Sequence, residues 1–83
     1  MHDWHLAEQV LKTVLDYAKE NNLKKISKID LELGSITEHG EEIMPENLKH
    51  NIKALSQKTI LKDAEINIKR TKGDIWKLVS IED

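Results

Sequence analysis

The chain has 83 residues, 39% of them apolar, a formal net charge of −2 and no cysteine. That leaves room for one small domain with an economical core, and the composition is too apolar and too poor in Gly and Pro for a disordered segment. Interspersed acids and bases exclude the basic stripe of a nucleic-acid binder, while the missing thiols exclude disulfides, a Cys nucleophile and any Cys-built zinc site.

No apolar run reaches the ~18 residues of a membrane span, and the N-terminus lacks the basic segment and apolar stretch of a secretory signal. The expectation is a cytoplasmic protein with neither a membrane nor a nucleic-acid partner. From Trp4 to Glu20 the apolar residues Leu6, Ala7, Val10, Leu11, Val14, Leu15 and Ala18 recur at three- and four-residue spacing, which puts them on one face of a helix. Asp3 suits its N-cap, and Asn21-Asn22 are poor helix formers at a natural stop. Over Lys25 to Leu33, Ile29, Leu31 and Leu33 alternate with Lys28, Asp30 and Glu32, the period-two pattern of a strand with one buried face. Gly34 ends it.

Residues Ser35 to Met44 carry Glu38, His39, Gly40, Glu41 and Glu42 and read as a solvated loop. Pro45 suits the first turn of a second helix, where a missing N–H costs nothing. Leu48, Ile52 and Leu55 form that helix's apolar stripe, which runs out near Lys58. Ala64, Ile66 and Ile68 alternate with Glu65, Asn67 and Lys69 in a second strand, and Thr71-Lys72-Gly73 reads as a tight turn. A last strand spans Asp74 to Glu82. Its inward face is ambiguous, with Trp76 and Leu78 on one side and Ile75, Val79 and Ile81 on the other.

The order α-β-α-β-β predicts an α+β two-layer sandwich. Its two helices lie on one face of a three-stranded mixed sheet, which has one parallel pair from the β-α-β portion and one antiparallel hairpin. The other face is left open to solvent or a partner.

The chemistry concentrates at the N-terminus. The amine of Met1, the backbone nitrogen and imidazole of His2, and the backbone nitrogen of Asp3 can place four nitrogens in a plane, a geometry suited to Ni(II) or Cu(II). Binding would release protons, so affinity should rise with pH. The large side chain of His2 should also protect Met1 from removal. An exposed His at a frayed terminus accounts for the same residues. Trp4, directly after the tripeptide, would anchor the helix start as a core residue. His5 reads as a solvated helix residue, with approach to the same metal as the alternative. His39 reads as part of a charged, solvated loop, and His50 as structural or surface. No phosphate loop and no nucleophile setting is present, and nothing desolvates Glu41-Glu42. The expectation is a non-enzyme.

The opening Met1-His2-Asp3-Trp4 followed by Leu6-Ala7-Glu8 resembles the HypA family of hydrogenase nickel-incorporation proteins. The likeness continues through Leu31-Glu32-Leu33-Gly34, Pro45-Glu46, Thr59-Ile60, Ala64-Glu65-Ile66, Gly73-Asp74 and Ser80-Ile81-Glu82, covering nearly the whole chain in order. The resemblance implies a nickel metallochaperone of residues 1–83. It would hold Ni(II) at Met1, His2 and the backbone nitrogen of Asp3, and pass it with the HypB GTPase to the large subunit of [NiFe]-hydrogenase, or in some organisms toward urease.

Three departures stand out. Position 3 is Asp where the family usually has Glu, which changes what the side chain reaches but not the backbone donor. The loop between Gly34 and Pro45 is longer than the family's. The family's zinc module, built on two Cys-x-x-Cys pairs between the last two strands, is replaced by a turn near residues 71–73, so no zinc is expected. An alternative function is a metal-independent interaction module of the same maturation pathway that has lost nickel delivery and uses the open sheet face.

Overall fold

The computed structural model describes residues 4–38 and 40–83, with the backbone alone at Trp4 and Glu38. Helix α1 spans Trp4–Glu20. Its inner face, Leu6, Ala7, Val10, Val14 and Ala18, is fully buried, while an exposed Lys12–Asp16 pair at 3.0 Å lies on the outer face. The helix stops where Asn22 turns into the left-handed region at φ 57, a conformation Asn tolerates better than most residues. The Leu23 N–H then reaches back to the Ala18 carbonyl (2.9 Å) and the Asn22 N–H to that of Lys19 (3.3 Å). These two bonds satisfy carbonyls the helix end would otherwise leave unpaired.

Strand β1 (Lys28–Leu33) is the centre of a three-stranded sheet of order β4-β1-β5, with β4 at Glu65–Arg70 and β5 at Trp76–Glu82. It pairs parallel with β4 and antiparallel with β5, the mixed sheet expected from the element order. The strand starts three residues later than the alternation suggests, because the Ile26 N–H bonds the Ile60 carbonyl rather than a neighbouring strand. Ile29, Leu31, Leu33 and Ile66 are buried against the helices, each contributing roughly 1.5–3 kcal/mol relative to exposure.

The ambiguity of β5 is resolved by a bulge. Leu33 faces Trp76 and Leu31 faces Leu78, but Asp30 faces Ser80 and Ile29 faces Ile81, so the register shifts by one residue at Val79. A bulge resets the inward parity of the strand beyond it. Trp76, Leu78 and Ile81 therefore all pack on the core, while Val79 is left exposed.

The open face is arranged in rows across the three strands. Glu65, Lys28 and Glu82 share one row, Asn67, Asp30 and Ser80 the next, and Lys69, Glu32 and Lys77 the third. In each charged row the central residue opposes both neighbours, which favours cross-strand pairing. One such contact, Lys28 to Glu82, measures 3.6 Å.

The segment 35–44 is not the plain solvated loop expected from its charge. It folds into a two-stranded hairpin, β2 (Thr37–Glu38) against β3 (Glu41–Glu42), with Gly40 at φ 82. The hairpin is held because Ile43 is fully buried and Ile36 packs on the core beside it, with the Ile43 N–H bonding the Ile36 carbonyl at 2.8 Å. Helix α2 follows at Pro45–Leu55, with Leu48 and Ile52 buried. It ends three residues short of Lys58, because the buried Ser56 folds its hydroxyl back onto the Ile52 carbonyl at 2.6 Å and leaves helical geometry at φ −91, ψ 5. Among the described residues no helix is long and apolar enough to cross a membrane.

Candidate functional site

Residues 21–27 link α1 to β1, and so short a connection between a helix and the sheet it covers reverses the chain direction. The first turn of α1 therefore comes to the end of the sheet where β1 and β4 finish, at Leu33 and Arg70. The β2–β3 hairpin, the start of α2 and the connection from β4 to β5 gather at that same end.

This end is tied together by backbone. The Gly34 N–H bonds the Ile75 carbonyl and the Ser35 N–H the Gly73 carbonyl, both at 2.8 Å. A Cβ at Gly34 would lie 2.7 Å from each of those carbonyl oxygens, so the crossing of the two segments requires a residue without a side chain. Gly73 itself has φ 104. Arg70, the chain's single arginine, adds a side-chain clamp: one guanidinium nitrogen pairs with the Glu42 carboxylate, and the other donates to the Ile43 carbonyl at 3.3 Å. The forked donor geometry of arginine allows both contacts at once, which a lysine could not match.

Of the residues expected to chelate metal, Met1, His2 and Asp3 lie outside the described residues, and so does His39; Asp3 as N-cap falls outside with them. His5 is exposed on the first turn of α1 and His50 is exposed on α2, as their readings as surface residues require. Glu41 and Glu42 are exposed on the hairpin. Among the described residues no group of three or more His, Asp or Glu side chains could hold a metal ion.

One polar cluster escaped the sequence reading. Ser80 donates to Asp30 at 2.6 Å and Asn67 donates to its other carboxylate oxygen at 3.1 Å. These hydrogen bonds, Ser80 first, hold Asp30 below the ordinary carboxylate range, with a smaller contribution from the charge of Lys28 and opposed by slight desolvation. The alternation of β1 and β4 already put Asp30 and Asn67 on the open face. Ser80 joins them only because of the bulge, for which the sequence carries no clear signal. The cluster stitches three strands together and has the form of a structural contact.

Comparison with known proteins bears on what this frame carries. The profile of the family described as hydrogenase/urease nickel incorporation, metallochaperone, HypA matches residues 1–77. The hydrogenase maturation factor HypA of Pyrococcus furiosus is 32% identical over 91 aligned positions, covering 100% of this chain and 63% of the relative. That of Pyrococcus abyssi is 33% identical over the same span and coverage. The chain thus spans about 63% of the length of these relatives. The solution structure of the Ni metallochaperone HypA from Helicobacter pylori superposes with a TM-score of 0.77 at 14% identity, covering 99% of this chain and 97% of that one. At that identity the likeness speaks for the fold, and it includes the helix-on-sheet arrangement described above. With the profile running from the first residue to within β5, the chain belongs to the HypA family of hydrogenase/urease nickel-incorporation metallochaperones.

Proposed function

We propose that this chain binds one Ni(II) at its N-terminus and delivers it for [NiFe]-hydrogenase maturation. The donors are the Met1 amine, the backbone nitrogen and imidazole of His2, and the backbone nitrogen of Asp3. The observation that carries this reading is that the family profile begins at residue 1, so the likeness includes the tripeptide that can chelate. Helix α1 begins at Trp4, directly after it, and its buried Leu6, Ala7 and Val10 give that tripeptide a rigid attachment. Preorganised attachment lowers the ordering cost of a small chelate.

Four nitrogens in a plane suit a d8 ion and would bind Cu(II) at least as tightly. Selectivity then depends on metal supply and on the proteins that receive the ion. In this reading the recipient is the hydrogenase large subunit, or urease in some organisms. HypB acts in the handoff, the setting is the cytoplasm, and the chain performs no chemical step of its own. In this reading the turn near residues 71–73 takes the place of the family's zinc module, and no zinc is required.

The experiment is calorimetric nickel titration of the full chain, followed in parallel by the absorbance of a square-planar complex. One Ni(II) per chain is expected, with affinity rising with pH as amine, imidazole and amide protons are displaced. Binding should be lost in His2→Ala and after an N-terminal extension that blocks the Met1 amine. Unchanged affinity in both variants refutes the site. Capture of HypB by a chain that takes up no nickel would instead favour a metal-independent interaction module.

A further inference from the structure

Helix α1 carries more apolar surface than the core covers. Leu6, Ala7, Val10, Val14 and Ala18 are buried, but Leu11 and Leu15, on the shoulder of the same stripe, are only partly so. With Leu55 of α2 they line a groove of about 340 Å3, and Glu8, Lys12 and Asp16 complete its lining. Leu11 and Leu15 are one turn apart, so the apolar floor runs along the axis of α1. The exposed Glu8, Lys12 and Asp16 follow at the same four-residue spacing, in the order minus, plus, minus over about 12 Å. Within that row Lys12 and Asp16 pair at 3.0 Å, with side chains 78% and 60% exposed. So exposed a pair contributes little, and its charges are free to turn to a partner.

An apolar floor with a charged flank at helical spacing is the surface one helix presents to another. The occupant it matches is an amphipathic helix. Its apolar stripe, at three- and four-residue spacing, would lie on Leu11, Leu15 and Leu55, and its flank would read plus, minus, plus. The order of the rim is its own reverse, so such a helix satisfies it in either direction. An extended segment fits less well, because the walls are helices whose backbone groups are bonded internally and offer no ladder to join. A second copy of α1 in register is rejected as well. Laid parallel, it opposes Glu8, Lys12 and Asp16 with themselves. Laid antiparallel about Lys12, it sets Lys12 on Lys12 and Glu8 on Asp16. Each of these contacts is between like charges, which discriminates against that partner.

We infer that the groove between α1 and α2 is a docking site for an amphipathic helix of another protein, one whose flank reads plus, minus, plus. The inference is independent of nickel, and its test reads peptide binding rather than metal binding. The probe is a synthetic Leu-striped peptide of about 18 residues, long enough to be helical alone, with Lys, Glu and Lys at four-residue spacing on its flank. A second peptide carries Glu, Lys and Glu at the same places. Each is titrated to roughly 1 mM into the metal-free, isotope-labelled full chain, to cover a small and therefore weak interface, and amide NMR signals are followed. The first peptide should shift signals of residues 8–16 and around Leu55 while β4 and β5 stay unmoved. The second should bind about tenfold more weakly, because three rim contacts change sign. The triple variant E8K/K12E/D16K, altered only at exposed positions, should exchange these preferences while circular dichroism confirms the fold. Absence of shifts with both peptides overturns the inference. Equal binding of the two peptides, or shifts confined to the sheet, overturns it too, by removing the charge match or placing the surface elsewhere.

Discussion

Gly34→Ala isolates the contact that closes the Leu33–Arg70 end of the sheet. Gly34 does not have positive φ, unlike Gly40 and Gly73, so an alanine there is not penalised by backbone conformation. The obstacle is steric: the new Cβ would sit 2.7 Å from the carbonyl oxygens of Gly73 and Ile75. Neither is the end of a flexible side chain, so the two segments must separate. Separation strains the hydrogen bonds from Gly34 to Ile75 and from Ser35 to Gly73, each worth about 0.5–1.5 kcal/mol net. Overpacking of a tight contact adds roughly 1–3 kcal/mol. With the two bonds strained and not lost outright, the loss is about 2–4 kcal/mol, against a total stability of roughly 4–12 kcal/mol for a chain of this length. At about 4–8 °C per kcal/mol the midpoint should fall by roughly 10–30 °C. Urea and thermal unfolding followed by circular dichroism measure both quantities. Gly73→Ala is the control, because nothing lies within 4 Å of its Cβ position and only the left-handed backbone, about 1–2 kcal/mol, is penalised. If Gly34→Ala loses less than Gly73→Ala, the steric reasoning is wrong.

Ile43→Ala should cost about 2–5 kcal/mol, the range for a fully buried aliphatic side chain, whereas a side chain in a solvated loop would cost almost nothing; urea unfolding decides. Arg70→Ala should loosen the β2–β3 hairpin while changing global stability by less than about 1 kcal/mol, since the Glu42 pair is half-exposed. Amide exchange should therefore accelerate over residues 36–43 and remain slow in β1. Asp30, its native carboxyl held low, contributes stability that is present above its unfolded pKa and lost as pH falls through the lower folded value. Carboxyl NMR titration should find it titrating below the exposed carboxylates, and Ser80→Ala should move it upward. An unmoved Asp30 midpoint in Ser80→Ala would deny Ser80 the leading role.

Elements whose burial has a single period were legible in the sequence. Helix α1 came through at its observed bounds, Trp4–Glu20, because its apolar stripe is unbroken and Asn21-Asn22 supply a stop. Strands β1 and β4 came through because apolar and polar residues alternate in each, with Ile29, Leu31 and Leu33 inward in β1 and Ile66 and Ile68 inward in β4. Strand β5 was legible as a strand but its inward face was not, since a bulge changes the inward parity between Leu78 and Ile81 and no periodic template contains such a step. The β2–β3 hairpin was hidden by its composition. Four of the five residues from Glu38 to Glu42 are acidic or His, and the residues that hold the hairpin, Ile36 and Ile43, flank it rather than lie within it. The charge rows of the open face required the register, because Lys28, Glu65 and Glu82 are far apart in the chain. Those rows also give that face a reason to remain in water.

The proposed nickel donors differ from all of these features in being contained in three consecutive residues. Their chemistry can be written down without any packing, which is why sequence alone states a ligand set yet leaves a frayed terminus as the plainer account of the same residues. The family likeness, which starts at residue 1, favours the ligand set. Packing supplies only the rigid start of α1 and the bonded sheet end beside it. Donor and scaffold should therefore separate under mutation. His2→Ala should remove nickel uptake and leave the unfolding midpoint of the metal-free chain in place. Ile43→Ala should lower that midpoint and leave one Ni(II) per folded chain. A variant such as Ile43→Ala that abolished nickel uptake while remaining folded would show that the donors reach beyond the tripeptide, into the hairpin end of the sheet.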